Sequence, residues 1–216
     1  MKEKLKIDIV SDVVCPWCTI GYKRLEKAIS ELGIEDQVEI EWQPFELNPN
    51  MSSEGQNVQE HLAEKYGSSI EQQKESQQFM IETGAELGFT FDYFDDMRMG
   101  NTFDAHVLLE YAKDFGKQTE LNMRLTTAFF GERKDVSNRA ILKQALLDVG
   151  LNAEEALAKL DDEDARYEVK SKESYWQSLG VRSVPTIVFN KKSAVTGAQP
   201  VDVFKRVLTE AIKNNK

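Results

Sequence analysis

Strand-forming patterns occur only at the two ends of this chain, and that arrangement restricts the folds open to it more than anything else. Residues 5–10, Leu-Lys-Ile-Asp-Ile-Val, alternate apolar and charged positions before turning fully apolar, which predicts a strand entering a core. Leu25, Ala28, Ile29 and Leu32 then recur at helical spacing, predicting an amphipathic helix of about four turns that ends near Gly33. Residues 38–42, Val-Glu-Ile-Glu-Trp, alternate again; Pro44 and Pro49 are expected to end regular pairing after them. Strand character returns only at residues 186–190. Lys191-Lys192 reads as a hairpin tip, Ser193–Thr196 as a short partner strand, and a last amphipathic helix follows Pro200 with Phe204, Val207, Leu208 and Ala211 inward.

Between these ends helical periodicity dominates. Ala105, Leu108, Leu109 and Ala112 share a face, as do Leu121, Leu125, Ala128 and Phe129, and Ile141, Leu142, Ala145, Leu146 and Val149. Gly67, Gly88, Gly116, Gly131 and Gly150 punctuate the segments as helix ends, and a charged helix is expected from about Asp162 to Leu179. Neither end carries a sheet of useful size alone. Together they make four strands with a helix at either end, so the expected class is α/β: strand-helix-strand, then strand-strand-helix, interrupted by a large all-helical insertion. The expected division is residues 1–54 and 178–216 for the α/β core and 55–177 for the insertion.

A net charge of −10 repels a phosphate backbone or an anionic membrane face on average, so neither nucleic acid nor a membrane is an expected partner. No stretch approaches the roughly 20 apolar residues of a membrane span. The first residues are charged, and their apolar run is short and broken by Lys6 and Asp8, unlike a secretory signal. A cytoplasmic location is the expectation.

The chain has two cysteines, Cys15 and Cys18. A bridge across so short a loop adds little chain-entropy stabilisation, so chemistry explains the pair better than stapling. Pro16 suits the first turn of a helix, where a missing N–H costs nothing. The helix start presents free N–H groups and a partial positive charge, which favour thiolate at Cys15, the attacking species in disulfide exchange. Cys18 lies one turn on, placed to resolve a mixed disulfide held on Cys15. Two cysteines do not fill the four-coordinate shell of zinc, and His61 and His106 stand alone in helical segments, so no metal is expected. Two buried, inert cysteines are the bland alternative. Val184-Pro185-Thr186 stands directly before a strand; a plain trans proline at a strand start is the ordinary reading of such a residue.

With these features the chain resembles the DsbA-like family of thioredoxin-fold oxidoreductases, and most closely its FrnE-type branch. The resemblance is carried by Asp12-Val13-Val14-Cys15-Pro16-Trp17-Cys18, Trp42-Gln43-Pro44-Phe45-Glu46-Leu47-Asn48-Pro49, Asn101-Thr102 with Ala105-His106, residues 180–186, and Gly197-Ala198-Gln199-Pro200. It implies a thioredoxin fold with a helical insertion, Cys15 and Cys18 as redox pair, and Pro185 as a cis-proline whose backbone edge, with Val184, pairs with a client peptide. It also implies that Pro16, Trp17, Asn101 and His106 line the substrate site. A packed, hydrogen-bonded His106 is the plainer reading of an interior helical histidine, and Asp12 is either an influence on the cysteine protons or simply a strand end. Periplasmic members of the wider family carry a histidine between the cysteines. Trp17 stands there in this chain and adds no positive charge, which implies a weaker oxidant.

The implied activity is thiol–disulfide exchange and isomerisation on protein disulfides, with no cofactor beyond the redox-active cysteine pair and with protein clients or glutathione as partners. Glutathione-dependent chemistry on a small molecule, of the hydroxychromene-carboxylate isomerase or kappa glutathione transferase type, is the alternative. Those relatives typically keep a serine at the position of Cys15 and need no resolving cysteine, so Cys18 favours redox work. A holdase using an apolar groove of the insertion is a third reading. A homodimer is one assembly compatible with an acidic chain bearing aromatic residues around a groove.

Overall fold

The structure, a computed structural model, describes residues 4–52 and 54–214. The chain begins with strand β1 (Leu5–Ser11), helix α1 (Pro16–Leu32) and strand β2 (Val38–Pro44). Helix α1 stops at Gly33, whose left-handed backbone (φ 62°) lets its N–H reach back to the carbonyls of Ile29 and Ser30. A two-residue strand β3 (Gln56–Asn57) follows, with helices α2 (Val58–Tyr66) and α3 (Ile70–Glu86). Strand β4 (Arg98–Met99) precedes helices α4 (Phe103–Asp114), α5 (Gln118–Gly131), α6 (Arg139–Asp148), α7 (Ala153–Ala158) and α8 (Glu163–Ser178). The chain closes with β5 (Thr186–Phe189), β6 (Ser193–Thr196) and α9 (Val201–Lys213).

Two compact units result, residues 1–45 with 170–216 and residues 46–169. In the first, the strands run in the order β2-β1-β5-β6. β1 and β2 are parallel, from Leu5 opposite Val38 to Ser11 opposite Pro44; β5 is antiparallel to both β1 and β6. This is the mixed α/β thioredoxin arrangement. One sheet face carries Val10 and Val188 against Trp176 and Val181. On α9, Phe204 and Leu208 are fully buried, each stabilising the fold by about 1.5–3 kcal/mol. The second unit buries Leu108, Leu121, Leu125, Leu142 and Leu146.

The strand expected over residues 38–42 runs two residues further and ends at Pro44, which an edge strand such as β2 tolerates. The middle segment is not free of strand, since Gln56–Asn57 pairs antiparallel with Arg98–Met99. Gly131 ends α5 as its last residue, as expected.

Asp8 is also buried, although the alternation of β1 reads it as a charged position like exposed Lys6. Burial raises its carboxyl above the ordinary range. The Gln43 amide, donating to Oδ1 at 2.7 Å, opposes the rise, Glu41 adds to it, and Lys191 and Lys6 offset it. A carboxyl raised in the folded chain binds its proton at higher pH there than in the unfolded chain, so stability falls as pH rises through that window. Asp8→Asn is therefore expected to raise Tm at pH 7 by about 2–4 °C, the shift that about 1 kcal/mol gives a chain of this size. The gain should shrink toward pH 4; thermal unfolding across that range checks it.

Candidate active site

Strand β1 delivers the chain to the site. Its last residue, Ser11, is followed by Asp12, whose carbonyl accepts the Cys15 N–H at 3.1 Å and turns the backbone into α1. Cys15 is the N-cap residue, in extended backbone (φ −96°, ψ 109°), with Pro16 opening the helix. Its carbonyl accepts from the N–H groups of Cys18 (3.1 Å) and Thr19 (3.4 Å). The Cys15 side chain makes no capping bond, so its sulfur stays available for other chemistry.

Both cysteines are free thiols, and both are buried at the residue level. Their surroundings differ. Burial pushes the Cys18 thiol well above its ordinary value, and the neighbouring Cys15 sulfur pushes it further through a hydrogen bond and through charge. The Ser11 hydroxyl and the Asp12 backbone N–H act the other way, by donating to the Cys18 sulfur. Cys18 is thus held as a thiol at neutral pH, beside two donors suited to receive its charge once it ionises. Cys15 donates its S–H toward the Val184 carbonyl at 3.9 Å.

Val184 and Pro185 precede β5, and the peptide between them is cis. The Pro185 carbonyl accepts the Gly197 N–H at 2.8 Å, one step beyond the pairing of Thr186 with Thr196. Trp17, on the first turn of α1, keeps 38% of its surface exposed. The Trp42 ring lies 4.9 Å from that of Tyr22 on α1, so the tryptophan of β2 is a packing residue of the same unit.

Cys15, Pro16, Trp17, Cys18, Val184 and Pro185 all belong to the first unit, whereas Asn101 and His106 belong to the second. Asn101 serves its own surroundings. Its amide donates to Glu46 Oε2 (3.0 Å) and its oxygen accepts the Phe103 N–H (2.9 Å) at the start of α4. His106 is buried within α4. Among the described residues no three or more His, Cys, Asp or Glu side chains gather as a metal site, and no helix is long and apolar enough to cross a membrane. Ser11, Gly21 and Arg24 are not singled out by sequence reasoning. A glycine inside an amphipathic helix is a signal of close approach; Ser11 and Arg24 carry none.

Chemically, the arrangement offers one sulfur beside the half-buried backbone at Val184 and a second sulfur one turn behind it. That is the layout of a dithiol able to form and release a mixed disulfide.

The chain is similar to several known proteins. A crystal structure of a probable DsbA oxidoreductase, SCO1869 from Streptomyces coelicolor, is similar at a TM-score of 0.90 and 34% identity, covering 97% of this chain and 90% of that one. The protein YwbO of Bacillus subtilis (strain 168) is 26% identical over 215 residues, 96% of this chain and 97% of its own length. The cytosolic disulfide reductase DsbM from Pseudomonas aeruginosa, in a structure with GSH, shares the fold at a TM-score of 0.66 and 16% identity, covering 96% of this chain and 99% of that one. Residues 6–209 match the DSBA-like thioredoxin domain, and the chain belongs to that family of thiol oxidoreductase folds.

Proposed function

We propose that this protein exchanges dithiols and disulfides on protein substrates through Cys15 and Cys18, in the cytoplasm. The observation that carries the reading is the Cys15 sulfur facing the Val184 carbonyl at 3.9 Å, with a second thiol one helical turn behind it. A client chain laid along the Val184 edge brings its disulfide to Cys15. The Cys15 thiolate attacks one client sulfur, forming a mixed disulfide and expelling the other as a thiolate that takes up a proton. Cys18 gives up its proton and attacks the Cys15 sulfur. The client leaves as a dithiol, reduced by two electrons, and the protein is left with a Cys15–Cys18 disulfide. A thiol such as glutathione, or a partner dithiol, returns it to the reduced state; run backward, the same steps oxidise a client dithiol.

Two features support a protein client over a small molecule. Cys18 has no task in an isomerase or transferase that only activates glutathione, and the Val184 edge is backbone, which suits an extended peptide. The presence of GSH in the DsbM structure supports glutathione as the recycling thiol. The test is reduction of insulin disulfides, with reactivation of scrambled ribonuclease as the isomerase assay. Catalysis well above free dithiothreitol is expected. A rate equal to free dithiothreitol, together with tight glutathione binding to the Cys15→Ser protein by calorimetry, would turn the reading to glutathione-dependent chemistry.

A further inference from the structure

The gap between the dithiol and the Val184 edge is set by more than the residues that border it. Pro185 is held on two sides. On one side its carbonyl accepts the Gly197 N–H at 2.8 Å, extending the β5–β6 pairing by a step. On the other lies α1, and the contact point there is Gly21. A Cβ on Gly21 would stand 3.0 Å from Pro185 Cγ, 3.5 Å from Ala198 Cα and 3.6 Å from Ala198 Cβ. Any larger residue forces Pro185 or the turn at 197–200 to retreat.

That turn is itself tied down. Gln199 donates from its backbone N–H to the Gly197 carbonyl (3.0 Å) and from its side chain to the Thr196 carbonyl (2.9 Å). The partly buried Arg24 donates from Nη1 to the Ala198 carbonyl at 2.6 Å. Cys18, Gly21 and Arg24 follow one another at three-residue steps on α1, so they form a single ridge of neighbours. The ridge that carries the resolving cysteine therefore also carries the two contacts that seat the Pro185 loop.

We propose that Gly21 and Arg24 are positioning residues that set the distance between Cys15 and the peptide-binding edge at Val184. Gly21 admits Pro185 against the helix, and Arg24 pins the turn that backs it. Neither touches a client. The inference rests on the reading that peptide disulfides are the substrates, and it makes affinity for extended peptides, rather than thiol chemistry, the quantity these residues control.

The test is steady-state kinetics of the full chain with a disulfide-bonded peptide, comparing wild type with Arg24→Gln, Arg24→Lys and Gly21→Ala. Loss of the Arg24 contact is expected to raise KM about tenfold with kcat within about twofold, the signature of binding lost equally from the ground and transition states. Arg24→Lys keeps a donor for the Ala198 carbonyl and should recover most of the lost KM. Gly21→Ala, which asks for a retreat of a few tenths of an ångström, should raise KM in the same direction. If Arg24→Gln fails to fold, as judged by circular dichroism, Gly21→Ala decides alone. The proposal is overturned if KM stays within twofold in the folded variants, if kcat falls while KM does not move, or if lysine at position 24 rescues nothing. A wild-type chain inactive on the peptide would remove the functional reading and this inference together, whereas an active wild type with unaffected variants removes the inference only.

Discussion

Cys15→Ser is expected to bring insulin-reduction activity down to the rate of free dithiothreitol, a loss on the order of 10³-fold relative to wild type. A serine hydroxyl is essentially un-ionised at neutral pH, and no oxygen nucleophile displaces a thiolate from a disulfide usefully under these conditions. The fold should tolerate the change, because the Cys15 side chain makes no capping bond and its S–H faces the Val184 carbonyl, which a hydroxyl can also approach. The check is the insulin turbidity assay run beside thermal unfolding. A folded Cys15→Ser protein with activity above background would assign the nucleophile elsewhere.

The second large effect concerns Cys18. Cys18→Ser should still make the first attack and then stop, so that a Cys15–client mixed disulfide accumulates and turnover drops by about 100-fold or more. Intact-mass spectrometry reads the trapped adduct directly. In the native protein the release step should depend on pH in a defined sense. Burial holds the Cys18 thiol up, so the fraction able to attack is small at neutral pH and grows as pH rises. Release from a preformed mixed disulfide should accelerate from about pH 6 to about pH 9, by up to about tenfold per unit. Part of what raises Cys18 in the reduced protein comes from the Cys15 sulfur, and that part vanishes once Cys15 is bonded to a client. Burial remains, opposed by the Ser11 hydroxyl and the Asp12 N–H. Ser11→Ala removes one of these donors and should slow release further. A pH-independent release rate would contradict the assigned role of the buried thiol.

These two expectations separate the reading from its competitors. A holdase keeps its effect on client aggregation with both cysteines changed to serine. A glutathione-activating enzyme without redox chemistry has no step at which Cys18→Ser traps a client. The positioning role of Gly21 and Arg24 is tested on a different axis, KM, and leaves the thiol steps to the cysteines.

Much of the site was legible because its signals are local. Cys15, Pro16 and Cys18 declare a helix start by their own spacing, and the structure places Cys15 at the N-cap with Pro16 opening α1. Val184-Pro185 before Thr186–Phe189 reads as a loop entering a strand, and that strand is β5. Elements long enough to repeat a period were equally readable, including α8 and the β6 strand at Ser193–Thr196. What escaped was short or depended on neighbours remote in the chain. Two-residue strands such as Gln56–Asn57 show no period. Pro44 stays in β2 because no strand lies beyond it, a fact of sheet order rather than of residue type. Asp8 looks like a surface charge until Gln43, 35 residues away, is placed beside it.

The sequence by itself determined the chemistry of Cys15-Pro16-Trp17-Cys18: two sulfurs one turn apart at a helix start, with an aromatic rather than a charged residue between them. Only the tertiary structure decided what faces those sulfurs. Cys15 meets a carbonyl 169 residues away, and Arg24 reaches one 174 residues away. Burial holds the proton on Cys18 against the Ser11 and Asp12 donors. Contacts at such separations carry no periodic or spacing signal, since loop closure across a whole domain leaves the intervening residues free to vary.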